Sequence, residues 1–105
     1  MSEQDVKEMT PQELMEKLAA GEKLQVVDVR EVEEWNSGHI KEAQLIPLGF
    51  LPHRVDELDK DVPIVLVCRS GARSHNATAY LTHLGFDATN MVGGMLAWPG
   101  EKEVE

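Results

Sequence analysis

The sequence predicts an α/β fold in which a parallel sheet of about five short strands carries helices on both faces. Apolar stretches rich in β-branched residues alternate along the 105-residue chain with segments whose apolar residues recur at helical spacing. The strands predicted at 24–29 and 64–68 are apolar at most positions, which is typical of strands buried on both faces. Because ligands bind such sheets beyond the carboxyl ends of the strands, we expect the functional site there.

The predicted elements follow one another from the N-terminus with turn residues between them. Thr10 and Glu13 form a capping box around Pro11, which predicts a helix over 11–20 that ends at Gly21. A valine-rich strand at 24–29 then leads into a short helix at 31–35. The other predicted elements are an edge strand at 6–9, a strand at 43–46 stopped by Pro47, a helix within 51–58, a strand at 64–68, a helix at 73–84 capped by Gly85, a strand at 88–92 and a helical turn through 97–98.

Length and charge limit the classes of function. Residues 1–105 match the commonest domain size, so we expect one domain, with a charged tail at about 101–105 that frays. The formal net charge of −9 argues against nucleic acid and anionic membranes as partners. The longest apolar run is far too short to cross a bilayer.

Cysteine and histidine usage indicates the compartment and excludes a metal site. A single cysteine allows no internal disulfide, and the polar first ten residues show no signal-peptide pattern, so we expect a cytoplasmic protein. The four histidines and one cysteine are not spaced as metal ligands. We therefore predict no metal and no cofactor.

The candidate reactive group is Cys68, which ends the strand predicted at 64–68. A turn between this strand and the next helix points backbone N–H groups and the positive helix end at the thiol. Lowering a thiol pKa by about two units requires about 2.7 kcal/mol. A helix end typically supplies about 0.3–1 kcal/mol, so loop amides and nearby arginines must supply the rest. The alternative is an inert cysteine packed as a small hydrophobe, which its position before such a loop disfavours. The loop residues are Arg69, Ser70, Gly71, Ala72 and Arg73.

The length of this loop distinguishes two chemistries. Four residues stand between Cys68 and Arg73, whereas cysteine phosphatases have one more, which makes a ring wide enough for phosphate. The shorter ring of amides suits a single additional sulfur atom on Cys68, as a persulfide. A phosphatase or arsenate reductase is therefore the less favoured alternative.

Together these residues resemble the single-domain rhodaneses, which are thiosulfate sulfurtransferases, and the resemblance covers nearly the whole chain. The loop from Cys68 to Arg73, followed by Ser74, has the family's sulfur-handling length. Three outer motifs stand in the family's order, although Glu42 occupies a position where glycine is more usual. They are Asp28-Val29-Arg30 with Glu34-Trp35, Gly38-His39-Ile40 through Ala43 with Ile46-Pro47, and Gly93-Gly94 with Trp98.

The resemblance implies a three-layer rhodanese-like fold and a two-step sulfur transfer. The Cys68 thiolate would attack the outer sulfur of a small anionic donor such as thiosulfate, and sulfite would leave. The persulfide would then pass its sulfur to cyanide, a thiol or a protein acceptor. A non-catalytic sulfur carrier or regulatory module would need the same loop, so that alternative stays open.

The resemblance also assigns roles to individual residues. The amides of 69–73 would hold the persulfide, and Arg69 would bind the donor. Arg73 is assigned with equal weight to the donor or to bracing the loop. Asp28 and Arg30 are interpreted as structural supports rather than catalytic groups.

Overall fold

The computed structural model describes residues 6–104 and contains, over that range, one five-stranded sheet whose strands are all parallel. This confirms the predicted α/β class. The strands are β1 (Lys7–Met9), β2 (Gln25–Asp28), β3 (Ala43–Leu45), β4 (Ile64–Val67) and β5 (Ala88–Met91). The α-helices are α1 (Pro11–Ala19), α2 (Val32–Asn36) and α3 (Ala72–His83), and 3-10 helices cover Leu48–His53, Val55–Glu57 and Gly94–Ala97.

The strand order β1-β5-β4-β2-β3 places β4 at the centre of the sheet. The chain leaves β2 towards β3 on one side and leaves β4 towards β5 on the other, so the winding reverses between β2 and β4. Ligands of open α/β sheets bind beside such a reversal, beyond the carboxyl ends of the strands. Asp28 pairs with Val67 at that edge, and Cys68 is the next residue of the chain.

Two apolar layers cover the sheet, one on each face. Every residue of β4 is buried, and successive side chains point to opposite faces. Val65 and Val67 pack in the layer that contains Leu14 of α1, whereas Leu66 packs in the layer that contains Leu81 of α3. Burial on both faces explains why this strand is apolar at each position.

One of the predicted helices differs from the observed structure. The helix expected within 51–58 is a pair of 3-10 helices, and Pro52 lies inside the first of them. Proline lacks an N–H donor and clashes with the preceding turn of an α-helix, which accounts for this difference.

The C-terminal segment, where we predict a frayed tail at 101–105, makes a backbone contact with another part of the chain. Glu103 and His39 exchange two backbone hydrogen bonds of 2.8 and 2.9 Å. This bridge ties the C-terminal segment to the loop that precedes β3. Residues 1–5 and 105 of the predicted domain lie outside the described residues.

The turn after β5 fixes the loop that follows β4. The amide of Met95 donates to the carbonyl of Cys68 at 2.8 Å, and the amide of Leu96 donates to the carbonyl of Arg69 at 3.0 Å. Gly94 allows this approach, since its φ is +59° and a Cβ there would lie 2.3 Å from the Arg69 carbonyl oxygen. Only glycine fits at this position.

Replacing Gly94 with alanine should therefore lower the free energy of unfolding by about 2 kcal/mol or more, because strain and steric overlap add. Gly49→Ala is the matched control, since a Cβ at Gly49 meets nothing within 4 Å, and its effect should stay within about 0.5 kcal/mol. Urea denaturation measures both variants. Equally small losses would show that the loop can move away from position 94 at little cost.

Candidate active site

The thiol of Cys68 lies directly beyond the central strand, at the start of α3. The side chain is buried, with 1% of its surface exposed. Gly71 has a φ of +107°, and this turn directs its amide back to Cys68 Sγ, to which it donates at 3.1 Å. The hydroxyl oxygen of Ser74, in the first turn of α3, lies 3.2 Å from the same sulfur.

These polar contacts favour a negative charge on the sulfur. Burial by itself raises the pKa of the Cys68 thiol, but hydrogen bonds from the Ser74 side chain and from the amides of Ser74, Gly71 and Ser70 outweigh it, so the pKa is lowered. The thiolate is the nucleophilic form of cysteine, so these contacts favour the form of Cys68 that a nucleophilic role requires. A purely apolar setting, as the inert alternative requires, is not what surrounds the sulfur.

An ion pair braces the loop from the side of α2. The two Nη atoms of Arg73 donate to the two carboxylate oxygens of Glu34, each at 2.8 Å. This bidentate contact lowers the pKa of the Glu34 carboxyl from 4.5 to about 2, although partial burial acts in the opposite direction. The guanidinium of Arg73 is thus engaged in holding α3 to α2.

Asp28 and Arg30 form a second, buried ion pair at the end of β2. Arg30 donates from Nε at 2.9 Å and from Nη2 at 2.8 Å to the Asp28 carboxylate. Its Nη2 also donates to the carbonyl of Gly38 at 2.8 Å. The pair therefore connects the end of β2 to the loop that precedes β3. The positive charge of Arg30 and the negative charge of Asp28 neutralise each other.

A groove of about 200 Å³ opens beside the loop. Arg69 and Lys102 line it, and neither has an acidic partner within residues 6–104. The groove therefore carries two uncompensated positive charges, in a chain whose formal net charge is −9. Ser37, Gly38, Met95 and Leu96 also line it, beside the paired side chains of Arg30 and Glu34.

The family model for the rhodanese-like domain matches residues 10–101. The chain belongs to the rhodanese-like family. It is 45% identical to the putative sulfurtransferase YtwF of Bacillus subtilis, over 92% of this chain and 94% of that protein. It is also 40% identical to the thiosulfate sulfurtransferase GlpE of Shewanella oneidensis, over 71% of this chain and 75% of that protein.

A solved structure agrees with this assignment. The crystal structure of a rhodanese-like domain protein from Staphylococcus aureus superposes with a TM-score of 0.89 at 38% identity, covering 95% of this chain and 99% of that one. The rhodanese-like fold predicted from the motifs is confirmed. The names of the relatives support, in general terms, a sulfurtransferase that exchanges sulfur with a donor and an acceptor.

The rhodanese-like loop also contains a polar contact that the motifs do not predict. Asn90, on β5, is 3% exposed, and its Oδ1 lies 2.6 Å from the hydroxyl oxygen of Ser74. Its Nδ2 donates to the carbonyl of Gly71 at 3.3 Å. The available signal was a polar residue inside an otherwise buried strand, which usually indicates a specific hydrogen-bond partner.

Residues 6–104 contain neither a cluster of metal ligands nor a helix able to cross a membrane. Within that range no group of three or more His, Cys, Asp or Glu side chains is arranged to hold a metal ion. None of the helices there combines the length and the apolar character needed to cross a bilayer.

Replacing Glu34 with glutamine should lower the free energy of unfolding near neutral pH by about 1 kcal/mol, a modest loss because the pair is partly exposed. Pairing lowers the pKa of Glu34 from 4.5 to about 2, so its contribution is complete above pH 4.5 and is lost as the pH falls towards 2. Urea denaturation across this range should show the gap between wild type and Glu34→Gln closing. Glu33→Gln, at an exposed neighbour, is the control, and a gap independent of pH would contradict this account.

Proposed function

We propose that this protein transfers sulfur through a persulfide on Cys68, taking it from a small anionic donor of the thiosulfate type. The observation that carries the proposal is the amide of Gly71 donating to Cys68 Sγ at 3.1 Å. This amide belongs to a turn with four residues between Cys68 and Arg73. A turn of that length suits one additional sulfur atom. The relative GlpE is a thiosulfate sulfurtransferase, which supports this choice of donor.

In the first step, the Cys68 thiolate attacks the outer sulfur of the donor. A bond forms between Sγ and that sulfur, the sulfur–sulfur bond of thiosulfate breaks, and the electron pair leaves with sulfite. Sulfite is a stable anion, so the departing group needs no proton from the protein. An amide and a hydroxyl contact Sγ. They suit this step because they stabilise the attacking thiolate without protonating it.

In the second step, a thiolate or cyanide attacks the outer sulfur of the persulfide, and Sγ leaves as a thiolate. The electron pair of the sulfur–sulfur bond passes to Sγ, while the outer sulfur leaves as part of the acceptor's persulfide or of thiocyanate. The Ser74 hydroxyl, at 3.2 Å, and the Gly71 amide, at 3.1 Å, already contact the atom on which this charge develops, and we assign the other amides of 69–73 to the outer sulfur. Preorganised donors of this kind stabilise a developing anion without having to reorganise.

The two arginines of the loop have different roles in this proposal. Arg69 is exposed and lines the groove, so we assign it to the anionic donor, which the overall charge of the chain would otherwise repel. Arg73 is assigned to bracing, because both of its Nη atoms are bound to Glu34. Asp28 and Arg30 are assigned to structural support for the same reason, since they bind each other.

Treatment with thiosulfate should add one sulfur atom to Cys68, detected by mass spectrometry of the intact protein and of the peptide that carries it. Sulfite should be released in an equal amount. Cys68→Ser, which is nearly the same size, should show neither change. Absence of both from the wild type would overturn the proposal.

The same experiment separates the alternative functions. Loading of Cys68 without turnover towards cyanide or small thiols would identify a sulfur carrier. Turnover of a phosphoester that depends on Cys68 would favour the phosphatase alternative.

Replacing Arg69 with alanine should raise the KM for thiosulfate by about tenfold, because one charge-assisted contact to the donor is lost. The kcat should change less. Lys23→Ala removes the same charge from the exposed loop before β2. This loop lies at the amino end of the strand, away from Cys68, so KM should stay unchanged. Equal rises for the two variants, measured by steady-state sulfite release, would assign the effect to net charge alone.

A further inference from the structure

Asn90 lies beneath the loop 68–73 and has no part in the two sulfur-transfer steps. Its Oδ1 is 2.6 Å from the Ser74 hydroxyl oxygen, which is itself 3.2 Å from Cys68 Sγ. Ser74 is fully buried and Asn90 is 3% exposed. These two polar side chains therefore connect the sulfur to β5 beside a largely apolar layer.

The partners of Asn90 determine which way its amide points. The carbonyl of Gly71 can only accept a hydrogen bond, so it faces Nδ2, at 3.3 Å. Oδ1 then faces Ser74 and can only accept. The Ser74 hydroxyl has a single hydrogen, and two acceptors lie within its reach, Asn90 Oδ1 and Cys68 Sγ.

We propose that Asn90 is a positioning residue that acts on Cys68 through Ser74, by competing with the sulfur for the single hydroxyl hydrogen. An oxygen–oxygen distance of 2.6 Å requires the hydrogen to lie between Ser74 and Asn90. That arrangement suits a sulfur without charge, either as the thiol or as the inner atom of a persulfide. When Sγ is a thiolate, the hydroxyl turns from Asn90 to the sulfur.

This competition has a place in the sulfur-transfer cycle, and to that extent it rests on the proposed function. In the persulfide the charge is on the outer sulfur, and the Ser74 hydroxyl donates to Asn90. As the acceptor attacks the outer sulfur, the sulfur–sulfur bond breaks and its electron pair passes to Sγ. The hydroxyl then rotates to Sγ while its own O–H bond stays intact. Asn90 thus accepts a hydrogen bond from the buried Ser74 hydroxyl in the half of the cycle when Sγ carries no charge.

The charged groups around the loop are not altered by changes at position 90. Arg73 interacts electrostatically with Cys68 and is held by Glu34 of α2. Arg69 is in the loop itself, and the Asp28–Arg30 pair lies at the end of β2. Replacing Asn90 with alanine therefore isolates the contribution of the hydroxyl from that of these charges.

The test is the ionisation of Cys68 in Asn90→Ala and Asn90→Asp. Alanine removes the competing acceptor, so the thiol should ionise at lower pH, and iodoacetamide should alkylate it about three- to tenfold faster in mildly acidic buffer. Aspartate is a stronger, charged acceptor, so alkylation under the same conditions should slow by a similar factor. Cys68 is the only cysteine, and the ultraviolet absorbance of the thiolate gives a second readout that does not depend on reagent access.

Opposite shifts distinguish this role from a loss of packing, which would move both variants in the same direction. In a Ser74→Ala background, the effect of Asn90→Ala should disappear, because the shared hydrogen is gone. Asn90→Leu, close to asparagine in size, repeats the measurement if the alanine variant does not fold.

Equal effects of Asn90→Ala with and without Ser74, or shifts of the same sign for alanine and aspartate, would overturn the proposal. Alkylation does not require sulfur transfer. A protein that forms no persulfide but shows the opposite shifts would therefore contradict the proposed function and still support the role of Asn90.

Discussion

The hydrogen bonding of Cys68 Sγ, by the Ser74 hydroxyl and the Gly71 amide, is the constraint on which the site depends. Burial opposes a charge on this sulfur, so the charge is stable only if nearby donors remain directed at it. The left-handed conformation of Gly71 provides that direction, and a Cβ at this residue would lie 3.2 Å from the amide nitrogen of Gly93. The same turn therefore sets the backbone geometry and the direction of a donor to the sulfur.

The surrounding elements hold this turn from several sides. The residues after β5 bind the carbonyls of Cys68 and Arg69, and the Glu34–Arg73 pair attaches the start of α3 to α2. On the remaining side, Asn90 binds the carbonyl of Gly71. Because each support comes from a different part of the chain, the folded sheet is what assembles the loop, and the loop sequence alone does not specify it.

Features set by neighbouring residues could be predicted from the sequence. The buried strand, the cysteine at its end, the polar turn and the following helix were all visible as periodicity and spacing. The contact between Glu34 and Arg73 was not, since 39 positions separate them and only the packing of α2 beside α3 brings them together. The same applies to Asn90 and to the bridge between His39 and Glu103. The 3-10 geometry of 48–57 was missed for a local reason, which is the proline at position 52.

The covered position of Cys68 has a consequence for how the protein responds to oxidants. A disulfide requires the Cα atoms of its two cysteines to come within about 7 Å of each other. Two copies of the folded chain cannot approach that closely through a side chain that is 1% exposed. The fold thus protects this sulfur from covalent dimerisation.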